Sequence, residues 1–594
     1  MKAITSTLGA RTFLRAVASL LPAVIVLLVL AASSSGAQTI PTDPKPTCTV
    51  TSTQFKGWFV SGTPTLNGAV NPANSVTFPN SPNCSFYQWS KQMFLWLTSP
   101  APATYGGGNV RVMDSPVFYD VSPESNGKRT FIPHTPGFLR TFQVRAAQVG
   151  PHGLPVVVST SGRLIEFKPA APTARPMVKN SAGALVPLTS VSRDVNRKLV
   201  LKDNAGKLIT PAIRPELLRP MNVVIKNEPA TLFKISGIPI LIDSTGNVIE
   251  TEEGQAGGNG VLLSQGKSLV YYVTMVNDVY AYFATMVAHQ PVASRTAVFP
   301  TTQASLNPIV TFAAAHGKTF PDPNALAIEV KSSWVVASTL PNNASGYITM
   351  QATIPTYNTS SNTTWTPNAT PKQNVTLALV GMHVVGSTAG HGEMVWATFE
   401  HFGNSPNQAY QYVNSSGVTK SIAADSGGPW LFAVTNPPST GFNALHATFN
   451  APNIVAVSGQ TISPSNTSRV MAWGSTSNTA PNPLVSAALS NTDIISIHDS
   501  VKSMMPAGDI RSNYFMTGAT WTEGGANPSS PFPSGNQVGT SQLNNSTMET
   551  YQQSSNTTTI GTNCLDCHTN TDGKSFADTT ISHIFPALLN GPLF

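Results

Sequence analysis

The pattern of apolar and polar positions predicts two helices among several strands. Residues 87–97 are strongly apolar and aromatic and contain no Gly or Pro, which predicts a short buried helix. Residues 278–289 predict a second helix, with Asp278 as its N-cap. Residues 340–374 are rich in Ser, Thr and Asn, which predicts a loop. The apolar stretches that predict strands are 268–275, 327–338, 375–386, 394–402 and 428–434.

A short turn pattern recurs between residues 155 and 275 and predicts β-hairpins. An Asx or Ser residue comes shortly before a Gly, and aliphatic residues follow. The first side chain can bond its own backbone, and Gly tolerates the positive φ that a tight hairpin turn requires. The unequal spacing of the turns argues against a solenoid or a propeller. The occurrences are Ser161/Gly162, Asn180/Gly183, Asp203/Gly206 and Asp243/Gly246.

The composition favours a secreted, β-rich protein. Charged residues make up 10% of the 594 residues, compared with about 25% in typical soluble proteins. The surface must therefore consist largely of Ser, Thr, Asn and Gly. We predict a mainly β fold, sandwich-like or built from irregular antiparallel sheets, with a few short helices and a small irregular C-terminal segment. The net charge of +7 includes no run of Lys or Arg, which argues against a nucleic-acid partner.

The N-terminus has the pattern of an export signal. Arg11 and Arg15 precede an apolar stretch at 16–32, and Ser35 and Ala37 are small at the −3 and −1 positions of a cleavage site. We therefore predict a signal peptide over residues 1–37 and a periplasmic or secreted bacterial protein. An uncleaved signal is the alternative, and it would be the protein's only contact with a membrane.

The remaining chain divides by composition. Residues 38–500 form one or more β-rich domains, possibly divided near 290–320, and residues 501–562 form a linker-like segment that packs on the β region. Residues 563–594 form a short C-terminal segment with a chemical motif. Cys48 and Cys84 lie near the mature N-terminus and suit a structural disulfide in an oxidising compartment.

The C-terminal motif is Cys564-x-x-Cys567-His568, which is the attachment site of c-type haem. Two thiols three residues apart can each add to one haem vinyl group, and the next residue then lies beside the iron as an imidazole ligand. The alternatives are a redox-active dithiol and half of a zinc site. The dithiol would be expected in a βαβ context, and the zinc site would need further ligands from far along the chain. We therefore predict one covalent haem c held by Cys564 and Cys567, with His568 as the proximal iron ligand.

Several wider segments resemble large exported bacterial proteins of the cytochrome c family with a single C-terminal CxxCH. The resemblance covers most of the mature chain and implies one covalent haem and electron transfer, but it implies no substrate. The segments that carry it are 87–97, 277–283, 398–401, 513–521 and 545–551.

The sixth iron ligand is left open by the sequence. Small class I cytochromes have a Met downstream of CxxCH, whereas only 26 residues follow His568 and none is Met. His583 is the candidate distal ligand downstream, and Met548 is the alternative upstream. An open site is the third possibility, and it would permit ligand binding or peroxide chemistry. The Met residues further upstream are Met504, Met505 and Met516.

Two other groups of residues look functional but have ordinary explanations. Ser426 lies in Asp-Ser-Gly-Gly-Pro, as in chymotrypsin-type proteases, and His316 lies upstream, but the nearby Asp322 does not suit a triad, so we interpret Ser426 as part of a turn. His383, His391 and His401 lie close in sequence. A hairpin that turns near residue 390 would hold His383 and His401 about 16 Å apart, too far for one metal ion.

These inferences together predict an exported electron carrier that exchanges one electron at a time with a periplasmic redox partner protein. The first alternative is a haem-dependent oxidoreductase or peroxidase-like enzyme with an open iron site. The second is a secreted β-rich binding protein in which the haem is structural. A reversible potential without ligand binding would favour the carrier, and cyanide or peroxide reactivity would favour the enzyme.

Overall fold

The structure is a computed structural model, and the predicted signal segment 1–37 lies outside the residues that it describes. The described residues are 40–79, 84–123, 128–144, 156–158, 164–170, 174–193, 199–210, 230–235, 238–249, 260–291, 295, 298–434, 442–450, 452–456, 460–474, 486–526, 537–540, 543–550, 553, 564–568, 579–582 and 584–594.

The fold is mainly β, as predicted, with antiparallel sheets and a few short helices. The α-helices are α1 (Ser52–Trp58), α2 (Cys84–Leu97), α3 (Asp278–Ala288), α4 (Gln303–Ala315), α5 (Ala487–Met504), α6 (Cys564–Cys567) and α7 (Phe585–Leu588). The first strands are β1 (Phe118–Val121), β2 (Phe131–Pro133), β3 (Arg140–Thr141), β4 (Val156–Val158), β5 (Leu164–Pro169), β6 (Met177–Lys179), β7 (Leu185–Pro187), β8 (Ser190–Arg193), β9 (Leu199–Lys202), β10 (Leu208–Ile209), β11 (Ala230–Ile235), β12 (Ile238–Ile242) and β13 (Val248–Ile249). The later strands are β14 (Tyr271–Asn277), β15 (Ile328–Val336), β16 (Thr349–Asn358), β17 (Thr364–Thr388), β18 (His391–His401), β19 (Tyr410–Val413), β20 (Thr419–Ile422), β21 (Ala447–Asn450), β22 (Asn453–Ala456), β23 (Tyr514–Thr522) and β24 (Gln537–Gly539).

A central sheet organises the molecule. Its strands follow the order β2-β1-β14-β15-β17-β18-β23-β24, and all of these pairs are antiparallel. Alternation along each strand gives the sheet two faces. On β15, Ile328 and Val330 face the core that contains α2 and α5, whereas Glu329 and Lys331 point to the opposite side. The second side is covered by α3 and by the C-terminal part of the chain.

Two glycines in β17 allow close packing on the two faces. A Cβ at Gly386 would clash with the indole of Trp89, a residue of α2 that packs on the sheet. A Cβ at Gly381 would meet the side chains of Asn545 and Thr547 on the other face. The absence of a side chain at these two positions therefore lets a helix and the C-terminal chain approach the strand closely from opposite sides.

A smaller unit with its own apolar core is inserted between β3 and β14. The turns at Asn180, Asp203 and Asp243 have the predicted form: each side chain accepts backbone N–H bonds, and the following Gly has positive φ. The turn predicted at Ser161 lies outside the described residues. The core of this unit comprises Val178, Leu188, Val191, Leu201, Ile209, Ile240, Ile242 and Val248.

The structure divides the β region differently from the sequence-based expectation. We expected a division near 290–320, but β14 and β15, which flank this range, pair directly with each other. Residues 501–562 were expected to be linker-like, but they include β23, which is buried along its whole length and pairs with β18. The separate core lies instead in the inserted unit between residues 178 and 248.

Three local predictions also need correction. The N-cap of α3 is Asn277 and not Asp278, because the Asn277 side chain accepts a hydrogen bond from the Tyr280 backbone. Residues 340–374 include β16 and the start of β17, which pair as a hairpin with many exposed residues and therefore lack an apolar alternation. Residues 428–434 form no strand. The helix predicted at 87–97 is confirmed as part of α2.

A disulfide joins Cys48 to Cys84, as predicted, and ties the first residue of α2 to the chain before α1. In the described part of the chain, no helix is both long enough and apolar enough to span a bilayer.

Candidate functional site

The CxxCH motif forms one turn of helix. The turn is α6, and it continues to His568, whose backbone N–H donates to the Cys564 carbonyl at 2.9 Å. Residues three apart in a helical turn lie on the same side, which suits two thiols that act on one ligand. The side chain of Leu565 is buried in the apolar cluster beneath the turn. The side chain of Cys567 lies outside the described part of the structure.

The His568 imidazole is oriented by a backbone carbonyl. Its Nδ1 lies 2.6 Å from the carbonyl oxygen of Ile581, and because a carbonyl can only accept, Nδ1 must carry the proton. In the neutral ring, Nε2 therefore has the lone pair that a metal requires. Such a partner fixes both the tautomer and the ring orientation of a ligating histidine.

Trp396 supports the His568 ring from the sheet. The two ring centroids are 4.1 Å apart with an angle of 34° between the planes. The Trp396 side chain is itself held by a hydrogen bond from its indole N–H to the Glu393 carbonyl at 2.8 Å. The sequence analysis does not single out Trp396 for this site, because a tryptophan in a strand ordinarily fills the apolar core.

A polar chain connects the segment after His568 to the sheet and to α3. Ser582 donates to the Glu329 carboxylate at 2.6 Å, and its hydroxyl lies 2.7 Å from the Tyr280 hydroxyl. Burial raises the pKa of Glu329 to about 7, although the Ser582 hydrogen bond and the charges of Arg129 and Lys331 act in the opposite direction. Burial also raises the pKa of Tyr280, and the nearby Glu329 charge adds to this.

Glu329 also lies in the same row of the sheet as Trp396. Glu329 pairs with Val385, which in turn pairs with Trp396, so the three side chains share one face. Two strand spacings put the Cα atoms of Glu329 and Trp396 about 10 Å apart. The site therefore combines the helical turn, the segment after residue 579, the face of the sheet and α3.

The structure separates Met548 from the motif. Met548 is buried in a different apolar cluster, together with Tyr272 and Phe432, and this cluster does not include Leu565. Ser546, two residues before Met548, contacts Glu400, which is four residues along β18 from Trp396, or about 13 Å. The other candidates, Met504, Met505 and Met516, belong to the core on the far face of the sheet.

His583 lies outside the described residues, so its position as a candidate distal ligand is untested. Its neighbours Ser582 and Ile584 are both buried, and Ile584 belongs to the apolar cluster beneath the motif. The sequence therefore remains the basis for considering His583.

The histidines of the β17–β18 hairpin each have a partner of their own. His383 is paired with Glu549 at 2.9 Å, and His391 with Glu393 at 2.6 Å. His401 stacks on Tyr347, and burial lowers its pKa to about 3. No group of three or more metal-binding side chains is found where the structure describes the chain.

The protease-like residues also have separate partners. His316 bonds the Phe312 carbonyl at 2.8 Å and stacks on Phe594. Asp322 accepts a hydrogen bond from Tyr105 and not from His316. Ser426 is exposed in an irregular segment in which no turn is assigned, so its interpretation as part of a turn is not confirmed. The neighbouring Asp425 accepts a hydrogen bond from the Asn407 backbone. These contacts form no catalytic triad.

Glu400 belongs to a buried ion pair. Its carboxylate accepts from Arg469 at 2.8 Å and from the Ser546 backbone at 2.7 Å, and both charged side chains are essentially inaccessible to solvent. The partners of Glu400 are therefore Arg469 and the C-terminal chain, although His401 is its neighbour in the sequence.

Comparisons with known proteins give no relative: no family model, no curated protein and no solved structure matches the chain.

Proposed function

We propose that the protein is an exported c-type cytochrome with one covalent haem and that it transfers single electrons to or from a periplasmic partner protein. Cys564 and Cys567 would hold the haem, and His568 would be the proximal ligand. When bound, the haem supplies a one-electron Fe(III)/Fe(II) couple.

The observation that carries this proposal is the hydrogen bond between His568 Nδ1 and the Ile581 carbonyl. It fixes the proton on Nδ1, so that in the neutral ring the lone pair which could bind a metal is on Nε2. This arrangement comes from a residue outside the motif, so it is independent of the CxxCH pattern itself. The donor set of the turn, thiols three residues apart followed by an imidazole, suits covalent haem.

The residues around the turn would give the ligand a fixed, largely dry environment. Trp396 covers one side of the imidazole, and Leu565 anchors the turn in the apolar cluster. Phe585 and Leu588 extend this cluster from α7. An apolar shell limits solvent access and thereby influences the reduction potential of a metal centre.

For the sixth ligand, we propose His583 over Met548. Ile584, which follows His583, packs in the same cluster as Leu565, and Ser582, which precedes it, is buried, whereas Met548 packs in a separate cluster. Two histidine ligands would give a lower potential than a histidine and a methionine.

The test is a pyridine haemochrome assay on full-length protein expressed with c-type maturation machinery. We expect a covalent c-type spectrum from the wild type and from Asp566→Ala, which alters the same turn without removing a thiol. We expect Cys567→Ala to lose the two-thioether spectrum. Absence of covalent haem from a folded wild-type protein would contradict the proposal.

The distal ligand has a separate test in the same material. We expect His583→Ala to convert a low-spin ferric spectrum into one that responds to cyanide, while Met548→Leu leaves the spectrum unchanged. A wild-type protein that already binds cyanide rapidly would favour the enzyme alternative with an open iron site.

A further inference from the structure

Glu329 is connected to the proposed haem site by two independent routes. The first route is a hydrogen bond that Glu329 accepts from Ser582. Ser582 directly follows Ile581, whose carbonyl accepts the hydrogen bond from His568 Nδ1. Through the sheet, Glu329 lies in the same row as Trp396, which stacks on His568. A change of charge at His568 would therefore act on this carboxylate through the Ile581–Ser582 segment and across the row of the sheet that holds Trp396.

We propose that Glu329 is a proton-binding site coupled to the redox state of the iron, so that the protein takes up one proton with the electron it receives. This inference rests on the proposed function. A one-electron donor protein supplies the electron, and solvent supplies the proton, which binds a carboxylate oxygen of Glu329. Oxidation returns the electron to an acceptor and releases the same proton.

The surroundings of Glu329 favour its protonated and its ionised form to similar extents near neutral pH. Arg129 and Lys331 favour the carboxylate, as does the Ser582 hydroxyl, and burial opposes it. Lys331 also interacts with Glu549 on the segment that covers the sheet. Among the described residues, Tyr280 is a further titratable neighbour, and it stays protonated because burial raises its pKa.

The direction of the coupling follows from the charge of the iron. Oxidised iron carries one more positive charge, which favours the carboxylate and lowers the pKa of Glu329. Reduction removes that charge, so the pKa rises and a proton binds in the range between the two values. A proton can reach this side chain, because Glu329 is only partly buried and Arg129 beside it also lines an open cleft with Asp120 and His134.

The experiment is a potentiometric titration of the full-length holoprotein between about pH 5 and pH 9. We expect the wild-type potential to fall with rising pH across a window around neutrality, with a slope of at most about 59 mV per pH unit, the one-electron equivalent of a tenfold change in proton concentration. Glu329→Gln should abolish this pH dependence of the reduction potential. The matched control is Asp499→Asn, which removes a carboxyl with a raised pKa on the opposite face of the sheet and should keep the wild-type slope.

Ser582→Ala provides a second, directional variant. It removes the hydroxyl that favours the Glu329 carboxylate, so the window should move to higher pH while remaining present. A flat wild-type potential, or a wild-type slope that persists in Glu329→Gln, would overturn the inference while leaving the haem proposal intact. A wild-type protein without covalent haem would overturn the haem proposal and, with it, the inference.

Discussion

The two faces of the central sheet are made of the same strands but of different chemistry. Towards α2 and α5, the side chains in the middle of β15, β17 and β18 are mostly apolar, as with Val330, Val384 and Phe399. On the other face, the same strands present Glu329, His383, Thr398 and Glu400, which lie beneath the C-terminal chain. The first face is stabilised mainly by complementary shape, whereas the second needs a partner for each polar group.

The C-terminal chain supplies those partners. Asn545 bonds Thr398, Ser546 bonds Glu400, Glu549 bonds His383 and Ser582 bonds Glu329. The face that carries the proposed redox site is thus completed by residues far along the sequence, and its stability should depend on charge and pH. The opposite face should depend mainly on packing, and three substitutions measure this difference.

The largest effect is expected from Glu400→Ala. This change removes the carboxylate from a buried pair and leaves the Arg469 guanidinium without its counter-charge. Breaking one side of a buried ion pair costs about 3–5 kcal/mol. We expect a loss of this size in the free energy of unfolding, measured by urea denaturation at neutral pH.

Two further variants control for the shape of the Glu400 side chain. Glu400→Gln keeps the side chain's size and should lose less than Glu400→Ala. Replacing Glu400 by Leu and Arg469 by Met together removes both charges and should recover a large part of the loss. A loss below about 1 kcal/mol for Glu400→Ala would mean that the pair does not determine the stability of this face.

The elements of the apolar face could be predicted from the sequence, whereas the segment that covers the polar face could not. The helix at 87–97 and the strand at 327–338 are predicted correctly because their buried side chains make both segments strongly apolar. The segment around Asn545 and Ser546 is predicted to be linker-like because Asn, Ser and Thr ordinarily mark turns. In the structure, these side chains are polar because they satisfy buried polar and charged groups of the sheet.

The candidate site shows the same limit. The CxxCH motif is local and was found at once, but the groups that position it are not. The Ser582–Glu329 bond spans 253 residues, and no periodicity in a single sequence reports such a contact. The N-cap of α3 was misplaced by one residue because Asn277 and Asp278 are both good caps, and only tertiary structure shows that Asn277 also bonds Ile328.

On the apolar face, Phe94→Leu should have a moderate effect that does not change with pH. The Phe94 ring is stacked on Phe399 with centroids 4.4 Å apart. Loss of the ring removes buried apolar area and one aromatic contact, worth roughly 1.5 kcal/mol. Urea denaturation at about pH 5 and pH 8 should give the same difference from wild type. A difference that varies with pH would show that this face is not governed by packing alone.

The smallest effect is expected from Glu549→Gln on the polar face, and it should depend on pH. Burial opposes ionisation of Glu549, but the charge and hydrogen bond of His383 outweigh it, so the pKa of Glu549 lies below its usual value. A lowered carboxyl pKa stabilises the fold above the unfolded-state pKa of about 4.3, and this stabilisation is lost as the pH falls through the folded-state value. Because both side chains are only partly buried, we expect a loss of about 0.5–1 kcal/mol at neutral pH.

The same reasoning fixes the control for Glu549→Gln. His383→Gln should give a similar loss at neutral pH, and the double variant should lose less than the sum of the two, because the residues form one pair. The gap between wild type and Glu549→Gln should narrow when the pH is lowered from about 5 to about 3. If the gap stays constant over this range, the Glu549 charge does not stabilise the fold, and the polar face would then be held, like the apolar one, by shape.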